Sequence, residues 1–135
     1  MGAYTLNYNK KYACASMLWA LAILVVATIP GSAIEPVSKI PLLSIVAHFC
    51  EFLIFGWLLS KAFPALKNPL LISLFFSIFT EYLQLYVPGR FFSYADIATN
   101  AVGAIFGMGV VSESQNHIFL HIKIKLDAWL NGRNT

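Results

Sequence analysis

From Tyr12 to Ile29 the chain carries no charged residue. A bilayer-spanning helix needs about 20 predominantly apolar residues, so this run fits one. A cleaved signal peptide is the rival reading. Lys10 and Lys11 come first, and Gly31-Ser32-Ala33 looks like a small-residue cleavage site. The apolar core of a signal peptide stops at about 15 residues, and this run is longer, so it is read as a retained helix. Three more apolar segments follow, over about 41–63, 69–87 and 94–111. Pro30-Gly31 opens a short loop over residues 30–40, and residues 64–68 form a turn. Pro69 suits the first turn of its helix, and Ser93 is a suitable N-cap for the last.

Composition agrees with this pattern. Of 135 residues, 59% are hydrophobic and 11% charged, about half the usual charged share. A soluble domain this small has no interior large enough to hide so much apolar surface. The net charge of +3 forms no basic stripe, which argues against a nucleic-acid partner. Cys14 and Cys50 fall within apolar segments and are expected to be buried thiols.

The tail over residues 112–135 differs. At 100° per residue Ile118, Phe119, Ile122, Leu126, Trp129 and Leu130 share a face flanked by Lys123 and Lys125. This reads as an amphipathic helix lying on the membrane. An alternating strand through Ile122, Ile124 and Leu126 is the other reading. The fold class expected is therefore an all-α membrane protein, one domain over 1–135, with four transmembrane helices and a C-terminal amphipathic interfacial helix. With four spans, Lys10, Lys11, Lys61, Lys67, Lys123, Lys125 and Arg133 lie on one side, Lys39 and Arg90 on the other. That asymmetry predicts a multi-pass protein of the cytoplasmic membrane with both termini inside.

The polar residues within these segments cost free energy in hydrocarbon unless paired or wet. Ser44, His48 and Glu51 share one helical stripe. So do Ser73, Ser77, Glu81 and Gln84, and likewise Asp96, Asn100, Gly103 and Gly107. At about 1.5 Å per residue all three stripes place their ionisable groups in the outer half of the membrane. The sequence thus predicts one cluster of His48, Glu51, Glu81, Arg90, Asp96 and Asn100. Ionisable groups that stop near mid-depth argue against a channel or proton path.

Each group has a bland reading and a functional one. His48 and Glu51 are a helix–helix hydrogen-bond pair, part of a headgroup or substrate site, or, with Glu81, metal ligands. One histidine and no usable cysteine make a poor transition-metal site, so no metal and no cofactor is expected. Arg90 is a salt-bridge partner of Glu81 or Asp96, or a phosphate clamp. Gln84 and Asn100 read as cross-helix hydrogen bonds, and Gly103-x-x-x-Gly107 as a close-packing motif. Tyr82, Tyr86, Phe91, Phe92 and Tyr94 read as an interfacial belt or a sugar-stacking platform. No activated nucleophile is visible. His48, Glu51 and Glu81 are the candidate groups for acid–base work on a phosphodiester. Gln84, Arg90, Asp96 and Asn100 are the candidate ligand-binding residues.

The run HFCEFLIFG from His48 and the run EYLQLYVPGRFFSYADIATNAVGAIFG from Glu81 resemble the VanZ-like family of small bacterial membrane proteins. His48, Phe49, Glu51, Glu81, Gln84, Pro88, Gly89, Arg90, Asp96, Asn100, Gly103 and Gly107 match its pattern. Leu83 stands where many members have a histidine. The resemblance implies a role in the bacterial cell envelope, linked through the eponymous member to teicoplanin resistance, without implying a reaction. The partner expected, from Arg90 at headgroup height in the Pro88-Gly89 turn beside Asp96 and a helix N-terminus, is a membrane lipid or lipid-linked envelope precursor. The alternative is a structural or partner-binding helper of an envelope enzyme, in contact with another membrane protein or a second copy of itself.

Overall fold

A computed structural model of the chain describes residues 8–38, 40–64 and 68–111. All regular structure among them is helical. The elements are α1 (Lys10–Ala27), α2 (Gly31–Ser38), α3 (Pro41–Ala62) and α4 (Pro69–Gln84), with α5 covering Tyr94–Val111. The amphipathic helix expected over 112–135 lies outside the described residues.

Helix ends follow local chemistry. The Asn9 side chain caps α1 by accepting from the Lys11 N–H at 3.2 Å. Pro41 and Pro69 occupy the first turns of α3 and α4, where a missing N–H costs nothing. Ser93 Oγ accepts from the Asp96 N–H at 3.2 Å, the cap anticipated for α5. Two expectations are corrected. Residues 30–40 are not simply a loop, because Gly31–Ser38 form α2. The Ala33 N–H donates to the Pro30 carbonyl at 3.0 Å, so the proline that stops α1 also starts α2. The segment starting at Pro69 leaves the α-helix at Gln84 rather than Val87. The N–H groups of Leu85, Tyr86 and Val87 donate three residues back, tightening the chain ahead of Pro88.

The bundle is organised on α3. The Asn9 N–H donates to the Ala62 carbonyl at 2.8 Å, tying the start of α1 to the end of α3. Midway, the Trp19 indole N–H donates to the Glu51 carbonyl at 2.9 Å. Ile23, Phe52, Phe55 and Ala104 form the buried apolar core, with Phe76 of α4 5.0 Å from Phe55 between ring centroids. On its other side α3 meets α5 almost backbone to backbone. A Cβ on Gly103 would run into the Phe49 carbonyl, one on Gly107 into that of Leu53, and one on Gly56 would sit 2.5 Å from that of Ala104. The Gly31 N–H donates to the Pro88 carbonyl at 2.9 Å, so α2 begins beside the α4–α5 turn. Gly89 in that turn has φ of 76°, a left-handed conformation that glycine adopts without strain.

Along α4 the pattern of burial is inverted relative to a water-soluble protein. The buried residues of α4 are Ser73, Ser77, Thr80, Glu81 and Gln84. Met17, Leu18, Leu42, Phe75 and Phe106 point outward and are largely exposed. Apolar surface on this scale requires an apolar surrounding. Cys14 and Cys50 are exposed, contrary to the burial expected of them. On a helix with apolar surroundings, a position in an apolar run faces outward as readily as inward. α1, α3 and α5 are long and apolar enough to cross a membrane. α4, at 16 residues, is a shorter apolar helix.

The α3–α5 contact sets the first expectation. Gly103→Leu forces two backbones apart and costs about 1–3 kcal/mol or more. Gly109→Ala meets open space among the described residues and is neutral or slightly stabilising. Thermal unfolding of the purified variants in detergent checks this ordering.

Candidate functional site

The polar face of α4 closes against the start of α5. Glu81, fully buried, accepts from the Ser93 N–H through Oε2 at 2.9 Å. Gln84 lies one turn along the same helix, and its side-chain amide approaches Glu81 Oε1 at 3.4 Å. Gln84 therefore supports Glu81 within α4 instead of making the cross-helix bond expected of it. Asn100 does bond across helices: Nδ2 donates to Ser77 Oγ of α4 at 2.9 Å. Thr80 returns its hydroxyl to the Ser77 carbonyl at 2.8 Å, as suits a hydroxyl buried in a helix.

His48 reaches this group from α3. Its Nε2 lies 3.7 Å from Asp96 Oδ2. One ligand-capable atom each from His48, Glu81 and Asp96 falls within 4.8 Å of the others. Three helices thus converge on one point, and the partner of His48 is Asp96 of α5 rather than Glu51 of its own helix.

Arg90 departs from its expected salt bridge. Among the described residues it pairs with neither Glu81 nor Asp96. Its Nη2 donates to the Val26 carbonyl at 3.1 Å, at the C-terminal end of α1. The last carbonyls of a helix lack intrahelical donors and carry partial negative charge, so a guanidinium is favoured there. Arg90 Nε is buried without a hydrogen-bond partner. Burial pushes the guanidinium below its ordinary value, while the carboxylates of Glu81, Glu51 and Asp96 pull it back up. It stays charged.

His48, Thr80, Gln84, Arg90 and Asn100 border a cavity of about 220 Å³. Its polar wall consists of Ser44, His48, Glu51, Thr80, Gln84, Arg90 and Asn100, and its apolar wall of Ile23, Val26, Ala27, Ile34, Ala47 and Phe52. Asn100 Oδ1 is buried with no partner. Every residue named as a candidate from sequence is thus in this cluster or on the cavity wall. What sequence reasoning missed is the part played by α1 and α2. The Val26 carbonyl, which anchors Arg90, and the Ser93 N–H, which anchors Glu81, are main-chain atoms with no side-chain signature. Tyr82, Tyr86, Phe91 and Tyr94 are exposed near the turn, and the Tyr82 and Tyr86 hydroxyls are 2.7 Å apart.

The two side-chain links across α4 and α5 should differ in weight. Ser77→Ala removes one interhelical hydrogen bond, worth about 0.6–2 kcal/mol in a membrane protein. Glu81→Ala strips the Ser93 N–H of its acceptor and leaves a hole, which is expected to cost about 1–3 kcal/mol more. Denaturation in mixed micelles measures both, and the larger loss is expected for Glu81→Ala.

No curated protein and no solved structure matches the chain. The sequence model of the VanZ/LLP1 family matches residues 3–119. That stretch contains all five helices, the polar cluster and the cavity. With most of its length accounted for in this way, the chain belongs to the VanZ/LLP1 family and is a membrane protein of the VanZ type.

Proposed function

We propose that this protein is a multi-pass component of the bacterial cytoplasmic membrane that receives the headgroup of an anionic lipid or lipid-linked envelope precursor in the Arg90 cavity. The observation that carries the reading is Arg90 itself. It is a cation held at a helix junction and lining a cavity, and its Nε is buried and unpartnered. Guanidinium forks match phosphate oxygens, and a buried donor without a partner favours a ligand that supplies an acceptor. The cavity is smaller than the roughly 300–1,000 Å³ typical of sites that enclose a whole drug-sized ligand. A headgroup fragment suits it, with the acyl or prenyl chain outside against the apolar face. A lining of polar and apolar residues together supports an amphiphile over a fully water-soluble ligand.

In this proposal α4, extended by the tightened turn over residues 85–87, also spans the membrane, giving four spans with α1, α3 and α5, and residues 112–135 form the interfacial amphipathic helix. Both termini are cytoplasmic, and the Pro88-Gly89-Arg90 turn faces outward. Reporter fusions after Leu66 and after Phe92 are expected to read inside and outside, respectively. An outside signal at the first or an inside signal at the second overturns this topology.

Occupation of the site by an envelope precursor is also the proposed route by which the protein contributes to glycopeptide (teicoplanin) resistance. Native mass spectrometry of the purified protein is expected to show a retained phospholipid or polyprenyl phosphate, lost in Arg90→Ala. Glu81→Gln and Arg90→Lys are expected to abolish any effect on teicoplanin susceptibility while membrane abundance holds. Equal lipid retention in wild type and Arg90→Ala rejects the clamp. It favours the second reading, a non-catalytic helper acting through its helix faces on an envelope enzyme.

A further inference from the structure

We propose that His48, Glu81 and Asp96 form a binding site for one divalent metal ion, with Mn²⁺ the ion that suits them best. From sequence, one histidine with Glu51 and Glu81 made a poor transition-metal set. The fold sets Asp96 of α5 beside His48 and Glu81 instead. Metal–ligand bonds of about 2.0–2.2 Å set neighbouring ligand atoms roughly 3–4 Å apart. The 3.7 Å between His48 Nε2 and Asp96 Oδ2 is too long for a strong hydrogen bond and falls in that range. One imidazole and two carboxylates are a hard, oxygen-rich set that favours Mn²⁺ or Mg²⁺ over thiolate-seeking metals.

Two further observations point the same way. Asn100 is 1% exposed and lines the cavity that His48 lines. Its Nδ2 is committed to Ser77, and its Oδ1, a neutral oxygen suited to a cation, has no partner. Asn100 lies one turn along α5 from Asp96, on the same face. The carboxylate of Glu81 is also held as a ligand should be. The Ser93 N–H fixes one oxygen at 2.9 Å, and the Gln84 amide lies behind the other. Outer partners of this kind orient metal ligands and are tested by affinity.

The ion also removes an obstacle to the lipid reading, on which this second role rests: an anionic headgroup beside Glu51, Glu81 and Asp96 meets repulsion that a divalent cation offsets. The two readings fail separately. Metal binding is measured on delipidated protein in detergent, stripped with a chelator and titrated with Mn²⁺ while the free-ion paramagnetic resonance signal is followed. One ion per chain is expected, with a thermal midpoint that rises as Mn²⁺ is added. Asp96→Asn is expected to bind about tenfold more weakly or worse. If that variant fails to fold, judged by its elution in detergent, His48→Gln carries the same test with less disturbance of the α5 cap. No stoichiometric site in wild type for Mn²⁺, Mg²⁺ or Zn²⁺ overturns the proposal. So does wild-type affinity in a folded Asp96→Asn or His48→Gln.

Discussion

Glu81 has nowhere to go but inward, and much of the molecule follows from that. A carboxylate in an apolar surrounding is costly unless hydrogen bonds and opposite charges surround it. The chain meets the demand with the first free N–H ahead of α5, donated by Ser93. That bond ties the buried carboxylate of α4 to the residue that caps α5. On α5, Asp96 approaches His48 of α3 and Asn100 bonds Ser77 of α4. Around that carboxylate, the buried positions of α4 are all polar, with Ser73, Ser77, Thr80 and Gln84 in line with Glu81. Leu70 and Phe76 pack partly buried against the apolar core, while Leu71, Phe75, Ile78 and Phe79 are left for the outside. The fold is therefore held by polar complementarity along one seam, α4 to α5, and by close approach along another. At that second seam, Gly103 and Gly107 of α5 and Gly56 of α3 remove the side chains that would hold the backbones apart.

Much of this was readable in the order of residues. Stripes of Ser77, Glu81 and Gln84, or of Asp96 and Asn100, share a face whatever the tertiary structure, because the helical repeat dictates it. Matched depth then says which stripes meet. The limits of the reading are equally physical. Periodicity identifies the face on which Cys14 and Cys50 lie, but not whether that face looks into the bundle, and both turned out exposed. Pro30-Gly31 signals an end, yet a proline that ends one helix serves equally well at the head of another. Arg90 had acidic side chains to choose from and took a main-chain carbonyl instead. Every helix end offers such carbonyls, so nothing in the identity of Val26 distinguishes it.

The cavity is an outcome of these same choices. Arg90 is drawn toward the end of α1, away from the acids, and Asn100 spends its amide N–H on Ser77. What remains is an unmatched donor on Arg90 and an unmatched acceptor on Asn100, two residues that line one space. A protein interior seldom leaves such atoms alone. A donor asks for an anion and an acceptor for a cation. A lipid phosphate and a divalent ion answer the two demands together, which is why the two proposals belong to one site and can be separated by experiment.

The bond between Arg90 and Val26 joins residues far apart in the chain, and this has a bearing on biogenesis. α1 emerges from the ribosome first, and its links to α3, through Asn9 and Trp19, need only the chain as far as Ala62. The carbonyl end of α1 must wait until the α4–α5 turn has been made before its guanidinium partner exists. Gly31 waits for Pro88 in the same way. An early α1–α3 hairpin that later receives α4 and α5 as a second pair is the assembly order these contacts favour, in keeping with the N-terminal-first folding of chains during synthesis. The polar cavity would then come into being only at the last step, when the two pairs close on each other. A chain cut short before the turn would keep its hairpin contacts but leave His48 without Asp96 beside it.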